Sequence, residues 1–99
     1  MQTVNAVDAL GALAQESRLR IFRLLVQQGP NGMSAGTIAS ELEITPATLS
    51  HHLDQLSKAG LVHSRRDGRS IIYSANYAQM QRLLTFLTEN CCQGNKECT

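Results

Sequence analysis

Between Gly60 and Asn76 the chain changes its hydrophobic period, and this change limits the fold more than any other feature. Upstream, apolar residues recur at steps of three and four, the mark of amphipathic helices. The stretch "LVHSRRDGRSIIYS" instead reads as two β-prone runs around Asp67-Gly68. That dipeptide suits a two-residue hairpin turn, because Asp and Gly both tolerate positive φ. After Asn76 helical spacing returns. The chain is therefore mainly α with a β-hairpin, in the order α-α-α-α-β-β-α.

The first helix candidate is "VDALGALAQ", with Val7, Leu10, Leu13 and Ala14 on one side. "SRLRIFRLLVQQ" follows, with Ile21, Leu24 and Leu25 inward and Arg18, Arg20 and Arg23 elsewhere, and "GPNG" ends it. Ser34 caps a third helix, "SAGTIASEL". A tight link leads to "TPATLSHHLDQLSKAG", where Thr45 is the N-cap, Pro46 takes the first helical position and Gly60 is the stop. Asn76 caps the last helix, and Gln79 completes a capping box. Along it Tyr77, Met80, Leu84 and Leu87 step by three, four and three, and a further step of four reaches Cys91. Cys91 and Cys92 then fall in its last turn.

A chain of 99 residues makes one domain. It buries only about 60–65% of its unfolded surface, so a second subunit would enlarge the core. Nothing resembles a signal peptide, no apolar run approaches transmembrane length, and Cys98 sits one residue from the end, outside any prenylation box. The expectation is a soluble, cytoplasmic protein without membrane contact. The formal net charge is only +1, but its distribution is uneven. Residues 1–44 carry four acids against three arginines, whereas Lys58, Arg65, Arg66 and Arg69 outnumber Asp54 and Asp67 in residues 45–75. A nucleic acid would sit on that middle third.

Wound at about 100° per residue, the fourth helix gathers Leu49, His52, Leu53 and Leu56 on one face. Ala47, Thr48, His51, Gln55 and Lys58 gather opposite. A face small at its start, polar in its middle and cationic at its end can enter a major groove N-terminus first. Thr45, Ala47, Thr48, Ser50, His51 and Gln55 are the candidates for base and phosphate contacts, and Lys58 for a phosphate. Arg65, Arg66 and Arg69 around the hairpin turn would reach backbone or minor groove. The plainer alternatives are an ordinary amphipathic surface helix and a charged, solubilising hairpin.

As a set, "TPATLSHHLDQLSKAGLVHSRRDGRSIIYS" and "ALAQESRLRIFRLL" resemble the ArsR/SmtB family of winged-helix, metal-sensing repressors, over roughly residues 8–90. The resemblance implies a winged helix-turn-helix and a homodimer joined through its first and last helices. It further implies binding to double-stranded DNA at an imperfect palindromic operator, weakened by an inducer. Leu10, Leu13, Tyr77, Met80, Leu84 and Leu87 would then line the subunit seam.

Every cysteine lies in the final "CCQGNKECT", so residues 1–90 make the DNA-binding and dimerisation domain and 91–99 an inducer-binding tail. In a reducing compartment, clustered thiols bind metals or do redox chemistry more often than they form structural disulfides. The family's two common sensor sites are absent: "IASELEITPAT" has no thiol, and "NYAQMQRLLTFLTEN" has no His or Asp. Cys91, Cys92 and Cys98 instead resemble the C-terminal cluster of arsenic-responsive members, which implies As(III) or Sb(III) as inducer and no organic cofactor. Soft thiolates select thiophilic centres, and three sulfurs suit a three-coordinate one, whereas zinc takes a fourth ligand in a closed site.

The function so expected is a repressor released by trivalent arsenic, not an enzyme. The alternatives are a dithiol sensor of oxidants or persulfides, a thiol-containing metal carrier or enzyme without DNA function, and a constitutive architectural protein. The thiols could also be accidental, and Cys91 a packing residue. His51 and His63 lack partners at ligand spacing, and His52 reads as a packing residue.

Overall fold

A computed structural model describes residues 1–94. The elements run α1 (Thr3–Leu13), α2 (Glu16–Gln28), β1 (Met33–Ser34), α3 (Ala35–Leu42), α4 (Pro46–Lys58), β2 (Val62–Asp67), β3 (Ser70–Ala75) and α5 (Tyr77–Thr88). All the expected elements form. A short strand is added, since β1 pairs antiparallel with β3 and the sheet order is β1-β3-β2. Two residues offer no periodicity to detect, so β1 exists only because β3 supplies its partner.

Helix ends follow local chemistry. The Gln15 side chain accepts from Arg18 N–H at 2.9 Å, Ser34 Oγ from Thr37 N–H at 3.2 Å and Asn76 Oδ1 from Gln79 N–H at 3.2 Å. The expected capping box is only half made, because Gln79 Oε1 accepts from Arg82 instead. Thr45 is N-cap by position, but its hydroxyl donates to Thr48 Oγ1 at 2.9 Å rather than capping the backbone. Gly32, at φ +75°, is required where β1 begins, since a Cβ there would collide with the Tyr73 carbonyl oxygen.

The core is aliphatic: Ile21, Leu25, Ile38, Leu49, Leu53, Leu56 and Leu61 are all but sealed from solvent, with Phe22 and Leu83 beside them. Each terminal helix divides its apolar residues between core and solvent. Helix α1 buries Ala6, Ala9 and Ala12, while Val7 and Leu10 point outward. Small residues let α1 lie close to α2, which its larger residues would prevent. On α5 the buried residue is Leu83, and the expected stripe divides. Met80 and Tyr77 pack against their own chain's core, and Tyr77 Oη–H points at the carbonyls of Leu25 and Val26 at the end of α2, 3.3 and 3.0 Å away. Leu84 and Leu87 stay exposed.

Candidate nucleic-acid interface

Helices α3 and α4 are joined by three residues. Glu43 turns the chain in the left-handed region (φ 54°), and Ile44 N–H donates back to Ala39 O at 3.0 Å. The link is too short to let the helices separate, so α4 lies across α3 with its inner face buried on α1, α2, α3 and β2. That inner face is Leu49, His52, Leu53 and Leu56, as the periodicity requires.

The outer face carries Thr45, Ala47, Thr48, Ser50, His51 and Lys58, all exposed. Two candidates are more engaged than expected. Lys58 Nζ lies 3.0 Å from Asp54 Oδ2, so a phosphate must compete with this exposed i,i+4 ion pair. Such pairs hold only about 0.3–0.5 kcal/mol. Gln55 is half-buried and turned toward the cleft between α4 and α1.

The wing is the β2–β3 ribbon, with Asp67 paired to Ser70. The two-residue turn is therefore Gly68-Arg69, not Asp67-Gly68, and only Gly68 has positive φ (62°). Positive φ at the first central position alone is the pattern of a type II′ turn, which asks for Gly there and leaves Asp67 in the ladder. Arg65 and Arg66, successive on one strand, point to opposite faces. Arg65 Nη2 donates to Asn31 O at 2.9 Å, tying the wing to the loop after α2. Arg66 and Arg69 are left exposed toward the tip.

Arg18 holds a role that the sequence did not signal. Its Nε–H donates to Ala12 O at 2.6 Å, and its Nη1 lies 3.5 Å from His52 Nδ1. A guanidinium only donates, so this contact is a hydrogen bond when Nδ1 is the bare nitrogen and the imidazole neutral, with its proton on Nε2. Burial holds the His52 pKa below its usual value of 6.5, and the charges of Arg18 and then His51 depress it further.

Past α5 the chain departs from expectation. Glu89 is extended, Asn90 and Cys92 have positive φ (60° and 66°), and Cys91 N–H donates to Thr88 O at 3.1 Å. Cys91 and Cys92 thus sit in a turn beyond the helix rather than in its last turn, Cys92 is disulfide-bonded in this structure, and Cys91 is exposed rather than continuing the apolar stripe. Extended Glu89 and Asn90 at positive φ end α5 before it reaches them. The two Sγ atoms lie 3.3 Å apart, near enough for one centre to touch both at a typical metal–sulfur distance of about 2.3 Å. Cys98 lies outside the described residues. Among the described residues no group of three or more His, Cys, Asp or Glu side chains could hold a metal ion.

A short helix-turn-helix with a two-stranded ribbon behind it defines a winged helix-turn-helix DNA-binding protein. The comparisons agree. A helix-turn-helix domain family matches residues 13–65. The transcriptional activator HlyU of Vibrio cholerae is 32% identical over 94 residues, covering 95% of this chain and 84% of that protein. The structure of an ArsR-like transcriptional regulator from Rhodococcus superposes with a TM-score of 0.75 at 30% identity, over 85% of this chain and 76% of the other. A homodimeric winged helix-turn-helix DNA-binding domain from Mycobacterium bovis, a possible ArsR-family regulator, gives 0.71 at 27% identity, with 85% and 76% covered. This chain belongs to the ArsR family of DNA-binding transcriptional regulators, which are not enzymes. No helix among the described residues is long and apolar enough to cross a membrane.

Proposed function

We propose that the chain is a homodimeric repressor that leaves its operator when a thiophilic trivalent centre, As(III) or Sb(III), is held by its C-terminal thiols. The DNA half of this reading is carried by α4. Its N-terminal half presents Ala47, Thr48, Ser50 and His51 to solvent, while Arg66 and Arg69 project from the wing on the same module. Helix and wing together would grip one groove and its neighbouring backbone.

The dimer is supported by unsatisfied apolar surface on the terminal helices. Val4, Val7 and Leu10 of α1 are 65%, 59% and 41% exposed, and Leu84 and Leu87 of α5 are 50% and 54% exposed. An apolar groove of about 420 Å³, lined by Leu13, Phe22, Met80 and Leu84 among others, continues this surface. A second copy related by a twofold axis would cover such a face with the same face.

The inducer half is carried by the juxtaposed sulfurs of Cys91 and Cys92. In our reading Cys98 supplies the third. In the reduced protein, with the disulfide at Cys92 opened, each thiol would lose its proton to a hydroxide of arsenous acid, which departs as water while arsenic stays trivalent. Closing three sulfurs around one centre would gather the tail against the end of α5, part of the proposed seam. Only a difference in affinity between two dimer arrangements can transmit this to the DNA. A coupling of about 1–3 kcal/mol would weaken operator binding about 5- to 150-fold.

The test is reduced protein on its own promoter DNA, titrated in parallel with arsenite, cadmium, zinc and peroxide. Arsenite should release wild type and leave the Cys91→Ser, Cys92→Ser, Cys98→Ser triple variant bound. Release of that variant by arsenite refutes the thiol site. Release of wild type by peroxide alone moves the reading to a dithiol sensor.

A further inference from the structure

Arg18 joins three helices through a single side chain. It binds the last-turn carbonyl of α1 at Ala12, belongs to α2, and faces the buried His52 of α4. His52 is next in sequence to His51 on the outer face, and their rings lie 5.7 Å apart. Whatever moves His52 therefore moves the DNA-facing side of the helix.

We propose that Arg18 and neutral His52 are positioning residues that dock the DNA-reading helix onto α1 and α2, and that protonation of His52 undocks it, making operator binding acid-sensitive. The inference rests on α4 being the DNA-reading helix.

The chemistry has one direction. Neutral His52 offers Nδ1 as an acceptor to a group that can only donate. Protonation puts a hydrogen on Nδ1, ends the acceptor role and sets a second cation beside Arg18 in a part-buried place, where an uncompensated charge is costly. Among the described residues, burial, Arg18 and His51 set the electrostatics of His52, and no carboxylate offsets them. From α2 the facing group is Arg18, and from its own helix it is His51. From α1 it is the Ala12 carbonyl, already engaged by Arg18, with Asp8 across the adjoining cleft. α3 and β2 pack on α4 through buried Ile38 and Val62, and their charged residues and His63 are exposed. A cleft of about 450 Å³ lined by Asp8, Ala12, Arg18, Gln55 and Lys58 brings solvent to Arg18, the neighbour of His52.

The sign separates this effect from ordinary titration. Positive charge gained on the exposed outer face or on the wing strengthens phosphate binding. Undocking α4 weakens it. The experiment is fluorescence anisotropy on a duplex selected in vitro by the wild-type chain, between about pH 7.5 and 5.5, with folding followed by circular dichroism. Wild-type affinity should fall at least about 5-fold across this range, the low end of ordinary coupling between sites. His52→Gln keeps an acceptor for Arg18 and cannot charge, so its affinity should hold or rise with acid. Arg18→Lys should restore part of what Arg18→Met loses at neutral pH, since an ammonium can still donate. Nitrogen NMR gives a readout without DNA: His52 at neutral pH should show a bare Nδ1 and a protonated Nε2. Equal pH profiles for wild type and His52→Gln, or a protonated Nδ1 at neutral pH, overturn the proposal. A wild-type chain that selects no duplex removes α4 as the reading helix and the proposal with it.

Discussion

Arg18 Nη1 lies 3.5 Å from Nδ1 of His52, a residue 34 positions away, and the same guanidinium holds the Ala12 carbonyl at 2.6 Å. A guanidinium at that place favours the His52 tautomer with a bare Nδ1, and burial of that ring depresses its pKa below 6.5. The folded state therefore resists protonation more than the unfolded chain. Stability from this site is fully present above pH 6.5, and it declines as pH falls below that value toward the lowered folded-state pKa. Urea midpoints measured from pH 7.5 downward should drop more steeply for wild type than for His52→Gln. Parallel curves would remove His52 as a source of acid sensitivity.

On the wing, Arg66 and Arg69 should act as phosphate ligands without sequence preference. Arg66→Ala or Arg69→Ala should weaken binding to every duplex and lower the slope of log affinity against log salt by about 1 each. Arg65→Ala should leave that slope nearer its wild-type value, because its side chain is tied to Asn31 O. A salt titration that ranks Arg65 above the other two would reverse this assignment.

Base preference should reside in the first half of α4. Thr48→Ala or His51→Ala should change which duplexes are selected, costing about 1–3 kcal/mol on the preferred one. The salt slope should change little. Selection of an unaltered consensus by both variants would place base reading elsewhere.

Neighbouring leucines on α5 should behave as opposites. Leu83 is 5% exposed and Leu84 50%, so Leu83→Asp should unfold the chain while Leu84→Asp should leave a folded monomer. Sedimentation at micromolar concentration with circular dichroism separates these outcomes. A dimer of normal mass from Leu84→Asp would move the seam off this face.

Replacing Gly32 with Ala should destabilise by about 1–3 kcal/mol, because the residue is held at positive φ and its Cβ would meet the Tyr73 backbone. Thermal melting checks this, and an unchanged melting temperature would mean that the β1 entry relaxes freely.

Period and capping decided most of this protein before tertiary structure was considered. Five helices, a ribbon and the inner face of α4 were legible, because Leu49, His52, Leu53 and Leu56 recur at helical spacing and Ser34, Pro46, Asn76 and Gly60 punctuate locally. The DNA-facing candidates followed as the complement of that face. Packing decided the rest. Val7 and Ala9 both sit on α1 at acceptable spacing, and only the closeness of α2 selected the alanines for the inside. Leu83 rather than Leu84 is buried because of where α5 meets the core. The turn slid to Gly68-Arg69 because ladder pairing between Asp67 and Ser70 depends on both strands at once. Tyr77 on the α2 carbonyls, Arg65 on Asn31 and Arg18 on His52 join residues 34 to 52 positions apart. No local pattern encodes such pairs, because they arise only when separately formed elements are brought together.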